Sequence, residues 1–185
     1  MFPESIIKRH QNSQEVVLTQ RFNENRCMRV VFIGQNSTYS CPALSVMSAS
    51  DSQWDLVGVI EGLRRPRGFR RHRLYRPGFR AKPSEGSLLE LASHLGVAAL
   101  STCDINASES LAYIRSLGAD LLVCAGFDRL FSQQLLESAK KGAINAHPSL
   151  LPKHRGPAPL FWAARAGQSV LGVTVHQIDS KEDHG

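Results

Sequence analysis

Three side chains towards the carboxyl-terminal end of this sequence, an amide, an imidazole and a carboxylate, come in an order that invites chemistry. Asn145-Ala146-His147 closes a short apolar run and leads into PSLLPKHRGPAP, while Asp179 and Asp183 follow a second apolar run over 171–178. If both runs are strands, one sheet edge receives all three groups. Such a set suits acyl transfer to an amine: the amide donates to the oxyanion of a tetrahedral intermediate, the imidazole carries charge or a proton, and the carboxylate orients the imidazole. Direct transfer of this kind needs no serine or cysteine nucleophile. A histidine at a strand end also reads as a structural hydrogen-bonding residue, and spacing alone leaves both readings open. His147, His154, Asp183 and His184 are of metal-ligating type, but their spacing matches no ligand motif and no metal is expected.

The elements that must position these groups begin at Met28. From there, short apolar runs alternate with amphipathic stretches, the pattern of repeated βα units around a mostly parallel sheet. The spacing predicts strands over 29–33, 56–60, 97–100, 120–124, 143–146 and 171–178, the last with Val173, Val175 and Ile178 on one face. Ser87 to Glu90 has capping-box spacing in a helical stretch closed by Gly96, and Asn106 with Glu109 is placed to cap the next, which Gly118 ends. A helix over Gln133 to Lys140 is expected with Ser132 as its N-cap, and another between Pro157 and Gly167. Four prolines, at 148, 152, 157 and 159, stiffen the segment between the last two strands, and Gly156 permits an unusual backbone angle there. In an open sheet ligands bind beyond the carboxyl ends of the strands, so the loops after Ile33, Ile60, Cys124 and Asn145 are where chemistry is expected. The first reads GQNSTYS, which lacks the GxGxxG spacing of a dinucleotide site, and no Walker loop occurs.

At 185 residues and 20.4 kDa the chain suits one domain. With 42% hydrophobic and 21% charged residues it resembles an ordinary globular protein, and no apolar run is long enough to suggest a membrane span. Cys27, Cys41, Cys103 and Cys124 form no CxxC pair, which argues against a zinc knuckle or a disulfide framework. Residues 1–27 show neither clear periodicity nor a signal peptide, so a flexible amino-terminal extension and a cytoplasmic location are expected. The net charge of +6 is local: Arg64 to Lys82 carries eight arginines, one lysine and no acid, leaving 13 of the 22 basic residues to set against all 16 acids.

The stretch from Ile144 to Gly185 closely resembles the catalytic segment of the 10-formyltetrahydrofolate-dependent formyltransferases. The family's Asn-x-His falls on Asn145 and His147, its SLLP loop on Ser149, Leu150, Leu151 and Pro152, its Arg-Gly on Arg155 and Gly156, and its catalytic Asp on Asp183. AGFDRLFS, from Ala125 to Ser132, resembles the segment whose backbone cradles the folate pterin, and MRVVFIG resembles the family's first strand. The resemblance therefore covers Met28 to Gly185. It implies a Rossmann-like α/β fold, a mostly parallel sheet with helices on both faces. The implied reaction transfers a formyl group from the co-substrate 10-formyltetrahydrofolate to a primary amine, with Asn145, His147 and Asp183 as catalytic residues. The folate would be held by Ala125, Gly126, Phe127, Leu130 and the SLLP residues, and the acceptor by Arg155 and Gly156.

Methionyl-tRNA formyltransferases also resemble this chain in carrying a basic insertion after the second strand. By that likeness Arg70, Arg71 and Arg73, within the basic loop 64–82, would contact tRNA, with salt-sensitive affinity; Phe69, Tyr75 and Phe79 are placed to stack on end bases. Family members continue with further strands beyond the catalytic Asp, so the domain over 28–185 reads as truncated at its carboxyl end. A sugar-amine acceptor, a non-catalytic folate-binding remnant and a 10-formyltetrahydrofolate hydrolase are the alternatives. Among residues outside the motif, Asp179 reads as a strand-end turn residue, Phe161 and Trp162 as core or groove wall, and Lys153 and His154 as a solvated loop. Cys124 reads as a buried small hydrophobe, and His176 as partly exposed or bordering the pocket.

Overall fold

A computed structural model of the chain describes residues 27–49, 54–63, 86–179 and 181–184. Most of the amino-terminal extension and the basic loop with Arg70, Arg71 and Arg73 lie outside the described residues. The first strand, β1 (Met28–Gln35), is central because its residues 30–33 are apolar without interruption and nothing but burial on both faces suits them. Val30, Val31, Phe32 and Ile33 are at most 1% exposed, each contributing on the order of 1.5–3 kcal/mol through burial.

Chain order then gives α1 (Ser40–Ala49), β2 (Trp54–Gly62), α2 (Leu88–His94), β3 (Ala99–Thr102), α3 (Ser108–Ser116) and β4 (Leu121–Ala125). It closes with α4 (Gln133–Leu136), β5 (Ala143–His147), α5 (Pro159–Arg165) and β6 (Thr174–Gln177). The sheet order is β3-β2-β1-β4-β5-β6, with the first five strands parallel and β6 antiparallel to β5. Side-chain alternation divides the core in two. Phe32 and Val59 meet Leu44 of α1 and Leu88 and Ala92 of α2, whereas Val31, Ile33 and Ile60 meet Leu111 and Ile114 of α3 and Leu135 of α4. This is the expected α/β sheet with helices on both faces.

Several boundaries differ from the sequence reading, each for a local reason. Ser87 caps α2 as predicted, its Oγ accepting the Glu90 N–H at 3.1 Å, and Ser132 does the same for Leu135 at 3.2 Å. Asn106 does not cap α3; the N-cap is Ala107 without a side-chain bond. Its amide instead donates to the Leu130 carbonyl at 3.1 Å and accepts the Ser132 N–H at 2.9 Å, tying the loop after β4 to the start of α3. Helix α4 stops at Leu136 rather than Lys140, and α5 begins at Pro159 rather than Pro157 because Ala158 is left-handed, φ 56°. The last strand shrinks to four residues. Val173 and Val175, expected on one face with Ile178, part from it: they are 55% and 64% exposed, while Ile178 packs against the α3 and α4 face. Phe161 and Trp162 are likewise not core; they stand 56% and 47% exposed, edge to face with each other.

Candidate active site

The register of the last strands brings the chemical groups together. Asn145 pairs with Cys124 on one side and His176 on the other, and His147 pairs with Thr174. Asp183 lies beyond β6 on a turn held by Asp179, whose Oδ1 accepts the Lys181 N–H at 2.8 Å and whose Oδ2 meets His184 Nδ1 at 2.7 Å. Those bonds, the Lys181 one foremost, lower the Asp179 pKa, and Asp179 is the turn residue the sequence suggested.

Asp183 itself is left-handed, φ 45°, and its side chain is 11% exposed. A residue held in that region persists only where its surroundings over-determine it. Four groups surround its carboxylate. Oδ2 accepts the Gly156 N–H at 2.8 Å and lies 3.4 Å from His147 Nδ1; Oδ1 accepts from Asn145 Nδ2 at 3.3 Å and lies 3.5 Å from His176 Nε2. Gly156 can present its N–H because it takes φ 83°, where a Cβ would be strained and would lie 3.5 Å from the Glu182 carboxylate.

Hydrogen-bond partners constrain the protons. His147 Nε2 lies 3.0 Å from the His154 carbonyl, which can only accept, so Nε2 carries a hydrogen. Its Nδ1 faces a carboxylate oxygen of Asp183 and forms an ion pair with it when the imidazole is protonated. His176 Nδ1 lies 2.7 Å from the Gln177 carbonyl and donates to it, leaving Nε2 either to accept from Asn145 at 3.3 Å or, when protonated, to face Asp183. The side chain of His176 is only 6% exposed. The two sequence readings of this residue meet here: the residue is partly exposed, and its ring borders Asp183 and Asn145. His154 also departs from the solvated-loop reading, since its Nε2 is buried without a partner among the described residues.

The segment after β4 forms the neighbouring wall. Ala125 is buried, and its carbonyl and that of Gly126 accept from Ser40 Oγ at 2.6 and 3.3 Å. Gly126 takes φ 68°, and a Cβ there would lie 2.6 Å from that hydroxyl. Phe127 stacks edge to face on Phe131 and closes over Gly62, where a Cβ would meet the ring at 2.3 Å. The Arg129 guanidinium donates to the carbonyls of Leu63 and Cys103, pinning the ends of β2 and β3. Leu130 is left 58% exposed at the loop's outer side.

The SLLP loop is fixed from β6: Thr174 Oγ1 donates to the Ser149 carbonyl at 2.7 Å and accepts the Leu151 N–H at 3.1 Å. Ser149 is buried, Leu151 half-buried, and Leu150 and Pro152 are exposed; Arg155 points to solvent. Tyr39 Oη donates to the Ala146 carbonyl at 3.0 Å, bracing the strand between Asn145 and His147, and burial raises its pKa. Beneath Asn145 the Cys124 thiol is buried, its pKa pushed up to about 12 by burial and by the Asp183 charge, which removes it as a nucleophile. Among the described residues no group of three or more His, Cys, Asp or Glu is arranged to hold a metal ion, and no helix is long and apolar enough to cross a membrane.

Known proteins resemble this chain in sequence and in fold. The methionyl-tRNA formyltransferase of Geobacter metallireducens is 32% identical over 158 residues, 85% of this chain and 47% of its own length. That of Listeria innocua is 35% identical over 157 residues, 85% of this chain and 46% of its own. The chain thus spans about half the length of the curated relatives it matches. Among solved structures, the phosphoribosylglycinamide formyltransferase of Bacillus halodurans superposes with a TM-score of 0.64 at 22% identity, covering 85% of this chain and 75% of that one. A formyltetrahydrofolate deformylase from Pseudomonas syringae gives the same TM-score at 20% identity, covering 87% of this chain and 49% of that one. Residues 28–185 match the model of the formyl transferase family, and to that family this chain belongs.

Proposed function

We propose that this chain transfers the formyl group of 10-formyltetrahydrofolate to a primary amine. The observation that carries the reading is the gathering of Asn145, His147, His176 and the Gly156 N–H around the single carboxylate of Asp183. The residues present suit the folate donor. The segment from Ala125 to Leu130 is immobilised by Ser40, Asn106 and Arg129, yet offers an exposed Leu130, one strand away from Asn145. Ala125, Gly126, Phe127 and Leu130, with the SLLP residues Ser149 to Pro152, form the donor-holding surface in this reading.

The uncharged amine attacks the formyl carbon, and the carbonyl oxygen becomes an oxyanion facing Asn145 Nδ2 and the His147 imidazole. The Asn145 contacts of 3.3 Å are long for hydrogen bonds, so one N–H is easily given to a stronger acceptor. A proton leaves the attacking nitrogen as the new C–N bond forms, and one is delivered to the departing N10 as the old bond breaks. The Asp183–His147 contact takes up the first and supplies the second.

For the acceptor, the relatives named methionyl-tRNA formyltransferase and the +9 charge between Arg64 and Lys82 support a methionyl-tRNA-like amine, with Arg70, Arg71, Arg73, Arg155 and Gly156 on the acceptor side. Incubation with 10-formyltetrahydrofolate, following tetrahydrofolate release with and without methionyl-tRNA or an amino sugar, tests the reading. Release that depends on the amine supports transfer. Release of equal size without any amine would make the protein a hydrolase, and no release, unchanged by Asn145→Ala, would make it non-catalytic.

A further inference from the structure

Formyl transfer to an amine that arrives charged leaves one proton over. An amine of the α-amino kind is mostly ammonium at neutral pH, and two protons leave its nitrogen on the way to the formamide. One of them is consumed when N10 departs, and the other has to leave the site. Written in full, R–NH3+ and the 10-formyl donor give R–NH–CHO, tetrahydrofolate and H+. The contact between Asp183 Oδ2 and His147 serves the proton passed to N10. Because His147 Nε2 is bound to the His154 carbonyl at 3.0 Å, Nδ1 is the one basic position of that ring, and a second proton needs another carrier.

His176 stands at the other oxygen of the same carboxylate. Its Nε2 lies 3.5 Å from Asp183 Oδ1, while His147 Nδ1 lies 3.4 Å from Oδ2, so one acid has an imidazole at each oxygen. The Gln177 carbonyl, 2.7 Å away, keeps a hydrogen on His176 Nδ1, which makes Nε2 the basic nitrogen. With the ring neutral, Nε2 and Oδ1 therefore face each other as two acceptors, and Asn145 Nδ2, 3.3 Å from both, is the donor set between them. A proton on Nε2 turns that facing pair into an ion pair. Among the described residues the neighbouring titratable groups are otherwise engaged. The Cys124 thiol, beside Asn145 on β4, is pushed up to about 12 by burial and the Asp183 charge; His184 is paired with Asp179 at 2.7 Å. Glu182 and Lys181, on the same turn, are exposed. We infer that His176 takes up the surplus proton of the acceptor ammonium through Asp183 Oδ1 and gives it to water as the product leaves. This inference rests on the amine formyltransferase reading. The N–H bond of the ammonium breaks, its electron pair stays on nitrogen to attack the formyl carbon, and an N–H bond forms at Nε2. His176 is partly exposed and the Gln177 that holds it is exposed, so the ring adjoins solvent.

The test follows single-turnover tetrahydrofolate release at saturating donor, with methionyl-tRNA and with an amino sugar, for the full chain, His176→Ala and His176→Gln. Neither replacement takes up a proton, and the glutamine keeps a polar group within reach of Asn145; denaturation midpoints check that both fold. At about pH 6.5 the acceptor amine is mostly ammonium, and at about pH 9 it is mostly free base. With the acceptor that the unaltered chain uses, both variants should be slower by about tenfold or more at the lower pH and by less than about threefold at the higher. Imidazole added to His176→Ala should restore most of the loss at the lower pH. A merely structural role gives a loss that is equal at both pH values and indifferent to imidazole, and that result would overturn the inference. So would rates within about threefold of the unaltered chain at the lower pH. Either result, alongside amine-dependent release by the unaltered chain, removes this inference alone. Absence of amine-dependent release from the unaltered chain removes the reading beneath it as well.

Discussion

Replacing Asp183 by Asn tests the chemical centre with the smallest change in shape. The carboxylate offers two oxygens, and each faces two groups: Gly156 N–H and His147 Nδ1 at one, Asn145 Nδ2 and His176 Nε2 at the other. Asn has one oxygen. If that oxygen keeps the 2.8 Å bond from Gly156, the new NH2 points at the NH2 of Asn145, and if it turns over, the new NH2 points at the Gly156 N–H. Either way one charge-assisted bond, about 1.5–3 kcal/mol, gives way to a facing pair of donors. Two consequences follow. Stability should fall by about 2–3 kcal/mol, read as a lower denaturation midpoint with unchanged slope. The carboxylate that pairs with His147 is also lost as a proton acceptor, so single-turnover tetrahydrofolate release should slow by about 10²–10⁴-fold at saturating donor. Release within about threefold of the unaltered chain, in a folded variant, would refute the assignment of Asp183 to proton transfer.

Four further outcomes are expected. Gly62→Ala pushes a methyl into the Phe127 ring, 2.3 Å away, and should destabilise by about 1–3 kcal/mol in a melt while weakening donor binding. Tyr39→Phe removes the donor to the Ala146 carbonyl and should cost about 1 kcal/mol in a urea titration. The Cys124 thiol, pushed up to about 12, should resist iodoacetamide in the folded protein and react once it is unfolded, and mass mapping of the alkylated peptide reads this directly. Burial raises the Glu61 pKa in the folded state. The folded chain therefore holds this proton longer than the unfolded chain, and Glu61 detracts from stability as pH rises out of the ordinary carboxylate range, not below it. Denaturation midpoints of Glu61→Gln relative to the original chain should accordingly improve between about pH 4 and about pH 7.

Much of the fold was legible because its strongest strands are uninterrupted apolar runs. β1 and β4 could only be buried on both faces, and caps such as Ser87 and Ser132 satisfy backbone donors through local bonds that sequence spacing specifies. Asn106 was misread because its nearest backbone donors belong to α3, whereas the bonds it makes are to Leu130 and Ser132, which tertiary contact alone brings near. Of the site, Asn145, His147 and Asp183 were legible from residue type and resemblance. His176 was left ambiguous since burial on a four-residue edge strand depends on what packs over each face, and Val175, its apolar neighbour, turned outward. The left-handed φ of Ala158 had no signal at all, and those of Asp183 and His154 only the weak one that Asp and His enter this region more readily than most residues.

Strand β6 is four residues long, lies at the edge of the sheet among the described residues and carries His176, with Asp183 close behind it. Its pairing with β5 closes a loop of more than two dozen residues, so the site forms from a non-local contact. An edge strand of that length opens at a lower free energy than the core strands β1 and β4. Amide exchange at residues 174–177 should thus proceed by local opening while β1 stays protected, and each such opening separates His176 and Asp183 from Asn145 and His147. The lifetime of the assembled site is then set by one short strand rather than by the unfolding of the domain.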